Sequence, residues 1–182
     1  MRTVNEQALA VLVVVGALAA VIACGLYLSW RATRLHRLHQ RVDRARTGLR
    51  TALDRRRETA ARLARALGPE HGADLAAAAA AADGDEPAES ALSRSLRRTL
   101  ADPAVLRAAD TSGLLPDAAV AARGVQLARV FYNAAVTDTR RARRSRVVRL
   151  FRLAGGAPLP DFFEIDDRQP ERPAPVPAPD TL

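Results

Sequence analysis

The most prominent feature of the chain is an apolar run over residues 8–30, in which no side chain is charged. As a helix rising ~1.5 Å per residue, this run covers about 34 Å, enough to cross a hydrocarbon core of ~30 Å. Tyr27 and Trp30 lie at its end, where aromatic rings favour the headgroup layer, and Arg31 follows. The pattern predicts a membrane-spanning helix after a short polar lead over residues 1–7.

The stretch over residues 31–67 carries apolar side chains at steps of three and four. This spacing predicts a helix with one packed face, formed by Leu35, Leu38, Val42, Ala45, Leu49, Ala52, Leu63 and Ala66. Gly68-Pro69 predicts the end of this helix, because glycine adopts the left-handed cap and proline cannot continue the helix.

Shorter helical patterns occupy residues 73–82 and 88–109, with Asp102 as a predicted N-cap ahead of Pro103. A second long helix is predicted over residues 116–152, ending at Gly155-Gly156, with one face formed by Val120, Leu127, Phe131 and Ala134. No stretch alternates with the period of a strand. The predicted fold is therefore all-α: an N-terminal transmembrane helix that continues into a long antiparallel helical bundle over residues 31–165.

Residues 166–182 hold five prolines and predict a disordered tail. The net charge of the chain is +8, and every basic residue is arginine. Guanidinium groups suit phosphate and carboxylate partners. The predicted partners are the lipid bilayer and a protein or a second copy of the chain, and nucleic acid is disfavoured because the arginine stretches lack interleaved aromatic rings.

Positive charge near the span predicts its orientation. Residues 31–50 hold seven arginines, and the lead before the span holds only Arg2. Because arginine close to a span is retained in the cytoplasm, the sequence predicts a single-pass protein with its N-terminus outside and residues 31–182 cytoplasmic. The alternative is a lipoprotein anchored at Cys24, since Val21-Ile22-Ala23-Cys24 has the form of a lipobox. The apolar side chains that continue after Cys24 favour an uncleaved span.

Residues 129–136, ArgValPheTyrAsnAlaAlaVal, resemble the LemA family of bacterial membrane-anchored helical proteins. The resemblance rests on Tyr132, Asn133 and Val136, on a short apolar helix at 147–153 before Gly155-Gly156, and on Phe162, Phe163 and Glu164. A weaker likeness covers residues 42–67. The resemblance implies a membrane helix, an antiparallel bundle and no enzymatic activity, with these six motif residues in structural roles.

No reactive constellation accompanies the helical pattern. The chain has no glycine-rich phosphate loop, no metal-ligand spacing and no nucleophile beside a base, so no enzyme activity, cofactor or metal is expected. The preferred function is a membrane-anchored structural or interaction protein. The alternative is a module that binds anionic lipid or another anionic polymer through Arg140, Arg141, Arg143, Arg144 and Arg146. We also expect Phe131 to be buried close to Phe162 or Phe163.

Overall fold

The computed structural model describes residues 2–151 and 158–168, and the predicted tail falls almost wholly outside them. The described chain forms helices only, as the sequence predicts, and contains no strand. In chain order the helices are α1 (Arg2–Ala81), α2 (Glu86–Ala101), α3 (Pro103–Thr111), α4 (Leu115–Arg143) and α5 (Arg146–Leu150). Residues 158–168 have no regular secondary structure.

Helix α1 is interrupted at Gly68, as the Gly-Pro pair predicts. Gly68 has φ 75° and ψ 177°, a conformation that residues with a Cβ atom rarely adopt. Beyond this break the chain turns back, so that a Cβ atom on Gly72 would overlap the carbonyl oxygen of Ala64. The Arg57 guanidinium donates to the carbonyl oxygen of Ala82 at 3.2 Å and holds the returning arm beside the outgoing one.

The chain divides into two compact units, and the larger consists of Arg44–Ala134 and Phe162–Leu182. Its α1 and α4 segments run antiparallel, because the Arg46 guanidinium lies 3.5 Å from the Tyr132 hydroxyl and Arg62 lies 3.8 Å from Asp117. Leucine and alanine side chains form its main core cluster, which includes Ala60, Leu63, Ala64, Leu75, Ala79, Leu92, Leu96, Leu100 and Ala109.

The smaller unit consists of Met1–Asp43 and Ala135–Asp161. It contains the apolar N-terminal part of α1, which is followed by a segment packed against the end of α4 and against α5. Leu35, Val42, Val136 and Val148 are buried there. The Arg41 guanidinium pairs with the Asp138 carboxylate at 3.2 Å between the two helices.

The predicted continuous helix over residues 116–152 is wrong at its C-terminal part. Helix α4 ends at Arg143, and Ser145 is extended before α5 begins. The break falls in the arginine cluster, where like charges at positions four apart, such as Arg140 and Arg144, disfavour the helix. The predicted stop at Gly155-Gly156 lies outside the described residues.

The predicted burial of Phe131 is also wrong. Its side chain is 65% exposed, and Phe162 is 40% exposed, while Phe163 is half-buried. In the larger unit the buried face of α4 consists of Ala118, Ala121, Val125 and Tyr132. Phe131 precedes Tyr132 by one residue, which is a rotation of about 100° around the helix, so it points away from that face.

The predicted N-cap at Asp102 is confirmed at the centre of the chain. The Asp102 carboxylate accepts from the backbone N–H of Ala104 at 2.8 Å and caps α3, with Pro103 in the first turn. Gly113, with φ 70°, forms the turn between α3 and α4. These two junctions separate α2, α3 and α4, and α2 packs against α3.

Candidate functional site

The N-terminal part of α1 presents apolar side chains on every side. All residues from 9 to 27 are exposed, and the helix is long and apolar enough to cross a membrane or to act as a signal sequence. At its end the Arg31 guanidinium lies 5.4 Å from the ring centroid of Tyr27, and that of Arg34 lies 5.8 Å from the ring of Trp30. Such cation–π pairs stabilise arginine beside an aromatic ring. They form a sharp boundary between the apolar segment and the polar chain.

An arginine-lined cleft lies beside this boundary, within the smaller unit. It has a volume of about 440 Å³, and its polar walls include Arg31, Arg34, Arg41, Arg141 and Asp138. Leu35, Leu38, Ala142 and Val148 supply an apolar floor. Four guanidinium groups around one carboxylate leave an excess of positive charge, which suits a phosphate or carboxylate group.

The predicted arginine cluster divides into two sets. Arg140 and Arg143 hold residues 158–161 of the C-terminal segment, since Arg140 donates to the Pro160 carbonyl and to Asp161, and Arg143 donates to the Pro158 carbonyl. The other three side chains, of Arg141, Arg144 and Arg146, are exposed. The cluster is therefore partly structural, a role that its charge pattern did not predict.

Two of the six predicted motif residues, Asn133 and Phe163, are joined by a pair of hydrogen bonds. The Asn133 side chain donates to the Phe163 carbonyl at 3.0 Å and accepts from the Phe163 N–H at 2.9 Å. Tyr132 beside it is buried, with its hydroxyl 3.5 Å from an Arg46 nitrogen. The backbone N–H of Glu164 donates to the Glu86 carboxylate, and the Glu164 side chain is exposed. Val136 is buried within the smaller unit.

The segment that follows Phe163 is held by ion pairs. The Asp166 carboxylate accepts from Arg97 at 2.6 Å, and Asp167 accepts from Arg129 at 2.8 Å. The hydrogen bonds from the Arg97 guanidinium lower the pKa of the Asp166 carboxyl below its ordinary value. Together with the Asn133 contacts, these pairs fix residues 163–168 between α2 and α4.

Comparison with protein-family models, curated proteins and solved structures finds no match for this chain. Among the described residues, no group of three or more histidine, cysteine or acidic side chains could hold a metal ion.

A buried ion pair that the sequence pattern does not predict lies deep in the larger unit. The Arg56 guanidinium donates to the Glu89 carboxylate at 2.5 Å and to the Ser93 hydroxyl at 2.8 Å. Glu89 also accepts from the backbone N–H of Gly84 at 3.1 Å, and it is 1% exposed. The Nε atom of Arg56 is buried without a hydrogen-bond partner among the described residues. The only sign of this pair in the sequence is the position of Glu89 on the face of α2 that Leu92, Leu96 and Leu100 otherwise form.

Proposed function

We propose that this chain is a membrane-anchored, non-enzymatic helical protein of the LemA type, with residues 8–30 crossing the bacterial cytoplasmic membrane and residues 31–182 in the cytoplasm. The observation that carries the proposal is the exposed apolar segment that ends in the Tyr27 and Trp30 rings and their arginine partners. An apolar surface of this extent is unfavourable in water and favourable in a bilayer. The contact between Asn133 and Phe163 supports the family likeness, because it joins the two motifs that carry the resemblance.

The interaction role rests on a second apolar surface, located on α4. Val120, Leu127 and Phe131 are each more than half exposed, and they follow one another at steps of seven and four residues. These steps place the three side chains on one helix stripe. We call this surface the α4 stripe, and it suits an apolar helix of a partner protein or of a second copy.

Site-specific photo-crosslinking in cells tests this role. A photoreactive side chain in place of Phe131 should give a discrete adduct, and the same group in place of Gln126, an exposed polar position on α4, should not. The Gln126 variant controls for random encounter at a crowded membrane. Equal yields of the same adducts from both positions would contradict an interaction through the α4 stripe.

A second candidate function is the binding of anionic lipid headgroups, and the arginine-lined cleft favours it. The cleft lies directly after the apolar segment, and each arginine near an anionic leaflet contributes ~1 kcal/mol of attraction. Trp30 is the only tryptophan of the chain and lies next to Arg31, so its fluorescence reports on lipids at this position.

Quenching of Trp30 by brominated lipids in nanodiscs tests this candidate. Brominated anionic lipid should quench more strongly than brominated zwitterionic lipid, and high salt should remove the difference. The double variant Arg41→Gln with Arg141→Gln should reduce the preference. The control variant Arg94→Gln with Arg98→Gln removes the same charge outside the cleft and should retain it. Equal quenching by both lipids in the unaltered protein would refute headgroup binding.

A further inference from the structure

An open groove lies within the larger unit between α2, α3 and α4. Its volume is about 990 Å³. Its walls are mainly apolar and include Leu96, Leu100, Leu106, Leu115 and Ala119, together with Val120, which also forms the N-terminal end of the α4 stripe. Arg56 and Ser93 also line it, Arg107, Arg123 and Arg168 add positive charge, and Asp110 and Asp167 add negative charge.

The C-terminal segment already follows the two helices that form this groove. Along α2, the backbone N–H of Glu164 contacts Glu86, that of Asp166 contacts Ser90, and the carbonyl of Arg168 contacts Arg97. The segment therefore runs in the direction of α2 and advances toward the groove.

The contacts with α4 indicate the same direction. Phe163 is bound to Asn133, and Asp167, four residues later, is bound to Arg129. The segment thus runs against the direction of α4, whose next turns toward its N-terminus carry the groove residues Arg123, Ala119 and Leu115. Arg168 is the last described residue, and it lies on the groove itself.

We propose that residues 169–175, GlnProGluArgProAlaPro, continue this path and occupy the groove as an extended segment of the same chain. The lengths agree. The part of α4 between Arg129 and Leu115 covers about 21 Å at ~1.5 Å per residue. An extended proline-rich chain covers that distance in about seven residues at ~3.1 Å each.

The chemistry of the groove suits a proline-rich occupant. Proline has no backbone N–H, so such a segment brings carbonyl acceptors and few donors that need partners. The leucine side chains provide apolar contacts for the proline rings. The spacing brings Glu171 close to Arg123, whose charge is opposite.

Disulfide trapping in the full-length protein tests this docking. In a Cys24→Ser background, which removes the only native thiol, Arg172→Cys is combined with Ala119→Cys in the groove. The matched control combines Arg172→Cys with Ala134→Cys, an exposed alanine of α4 outside the groove. Ala134 lies about 7.5 Å along α4 from Arg129 and Ala119 lies about 15 Å away, so a tail without a docking site reaches Ala134 at least as readily.

Docking in the groove predicts that the disulfide to position 119 forms within one chain at least about tenfold faster than the disulfide to position 134, because docking raises the effective concentration of the thiol. Equal rates for the two pairs would overturn the proposal. A disulfide between two chains in place of one within the chain would also overturn it, since the groove would then take the tail of a second copy.

Discussion

Replacement of Glu89 by alanine is expected to be among the most damaging single changes in the larger unit. The Arg56 and Glu89 side chains are 4% and 2% exposed, and the carboxylate accepts from both Arg56 and the Gly84 N–H. Glu89→Ala would leave a buried guanidinium without its counter-ion. Breaking a buried ion pair by removing one partner costs ~3–5 kcal/mol, so we expect a loss of that size in the free energy of unfolding.

Urea unfolding of the detergent-solubilised protein, followed by circular dichroism at 222 nm, measures this loss. Asp54→Ala is the matched control, because Asp54 pairs with Arg57 on the same helix while the two side chains are 64% and 45% exposed. An exposed pair of this kind contributes less than ~1 kcal/mol. Similar losses for Glu89→Ala and Asp54→Ala would refute the assignment of a buried, paired charge.

A double replacement distinguishes the contribution of the two charges to stability from that of the space their side chains fill. Arg56→Met combined with Glu89→Leu removes both charges and fills the same space with apolar side chains. Replacement of a buried pair by apolar side chains is often neutral or stabilising, so the double variant should unfold at a higher urea concentration than Glu89→Ala. A double variant less stable than the single one would indicate that the hydrogen bonds of Arg56 dominate the stability of this site.

Single contacts give three further predictions. Phe131→Ala should change the free energy of unfolding by no more than ~0.5 kcal/mol in the same urea assay, because the ring is exposed; a loss above ~3 kcal/mol would mean that it is buried. Gly72→Ala should lower the melting temperature, since its Cβ would overlap the Ala64 backbone, and an unchanged value would contradict the close approach at the α1 hairpin. The lowered pKa of Asp166 means that its pairing with Arg97 stabilises the fold above about pH 4, the ordinary pKa range of aspartate, and that this contribution is lost as the pH falls through the lowered pKa. Asp166→Asn should flatten the acid limb of a stability profile between pH 2 and 6, and an unaltered limb would contradict this linkage.

Local signals in the sequence were sufficient to predict two of the helix boundaries. Gly68-Pro69 and Asp102-Pro103 act through their own backbone and nearest neighbours, and both are observed as predicted. The all-helical fold and the antiparallel packing of α1 against later helices follow from the spacing of leucine and alanine. The break at Ser145 was missed because apolar positions at 147–153 resume a helical spacing across it.

The packed face of α4 could not be chosen from its spacing alone. Two stripes satisfy the helical period, one with Val120, Leu127 and Phe131 and the other with Ala121, Val125 and Tyr132. Size favours the first stripe, but the structure buries the second. On this helix the small side chains of Ala118 and Ala121 allow close approach to its neighbours, and Val120, Leu127 and Phe131 lie on the exposed side.

Contacts between distant parts of the chain could not be predicted from the sequence either. Arg56 and Glu89 are separated by 33 residues, and Asn133 and Phe163 by 30. Arginine occurs so often in this chain that residue type alone does not indicate which arginine forms a buried ion pair. Only the folded arrangement of α1, α2 and α4 shows which charges are buried together and which remain at the surface.

The membrane anchor is the central claim of the proposed function, and alkaline carbonate extraction of bacterial membranes tests it most directly. The chain carries a C-terminal epitope, and a blot reports both its partition and its length. An uncleaved transmembrane helix predicts that the chain stays in the membrane pellet at its full length of 182 residues plus the epitope. A chain shortened by removal of the apolar segment and released into the supernatant, or a pelleted chain that begins at Cys24, would contradict the account.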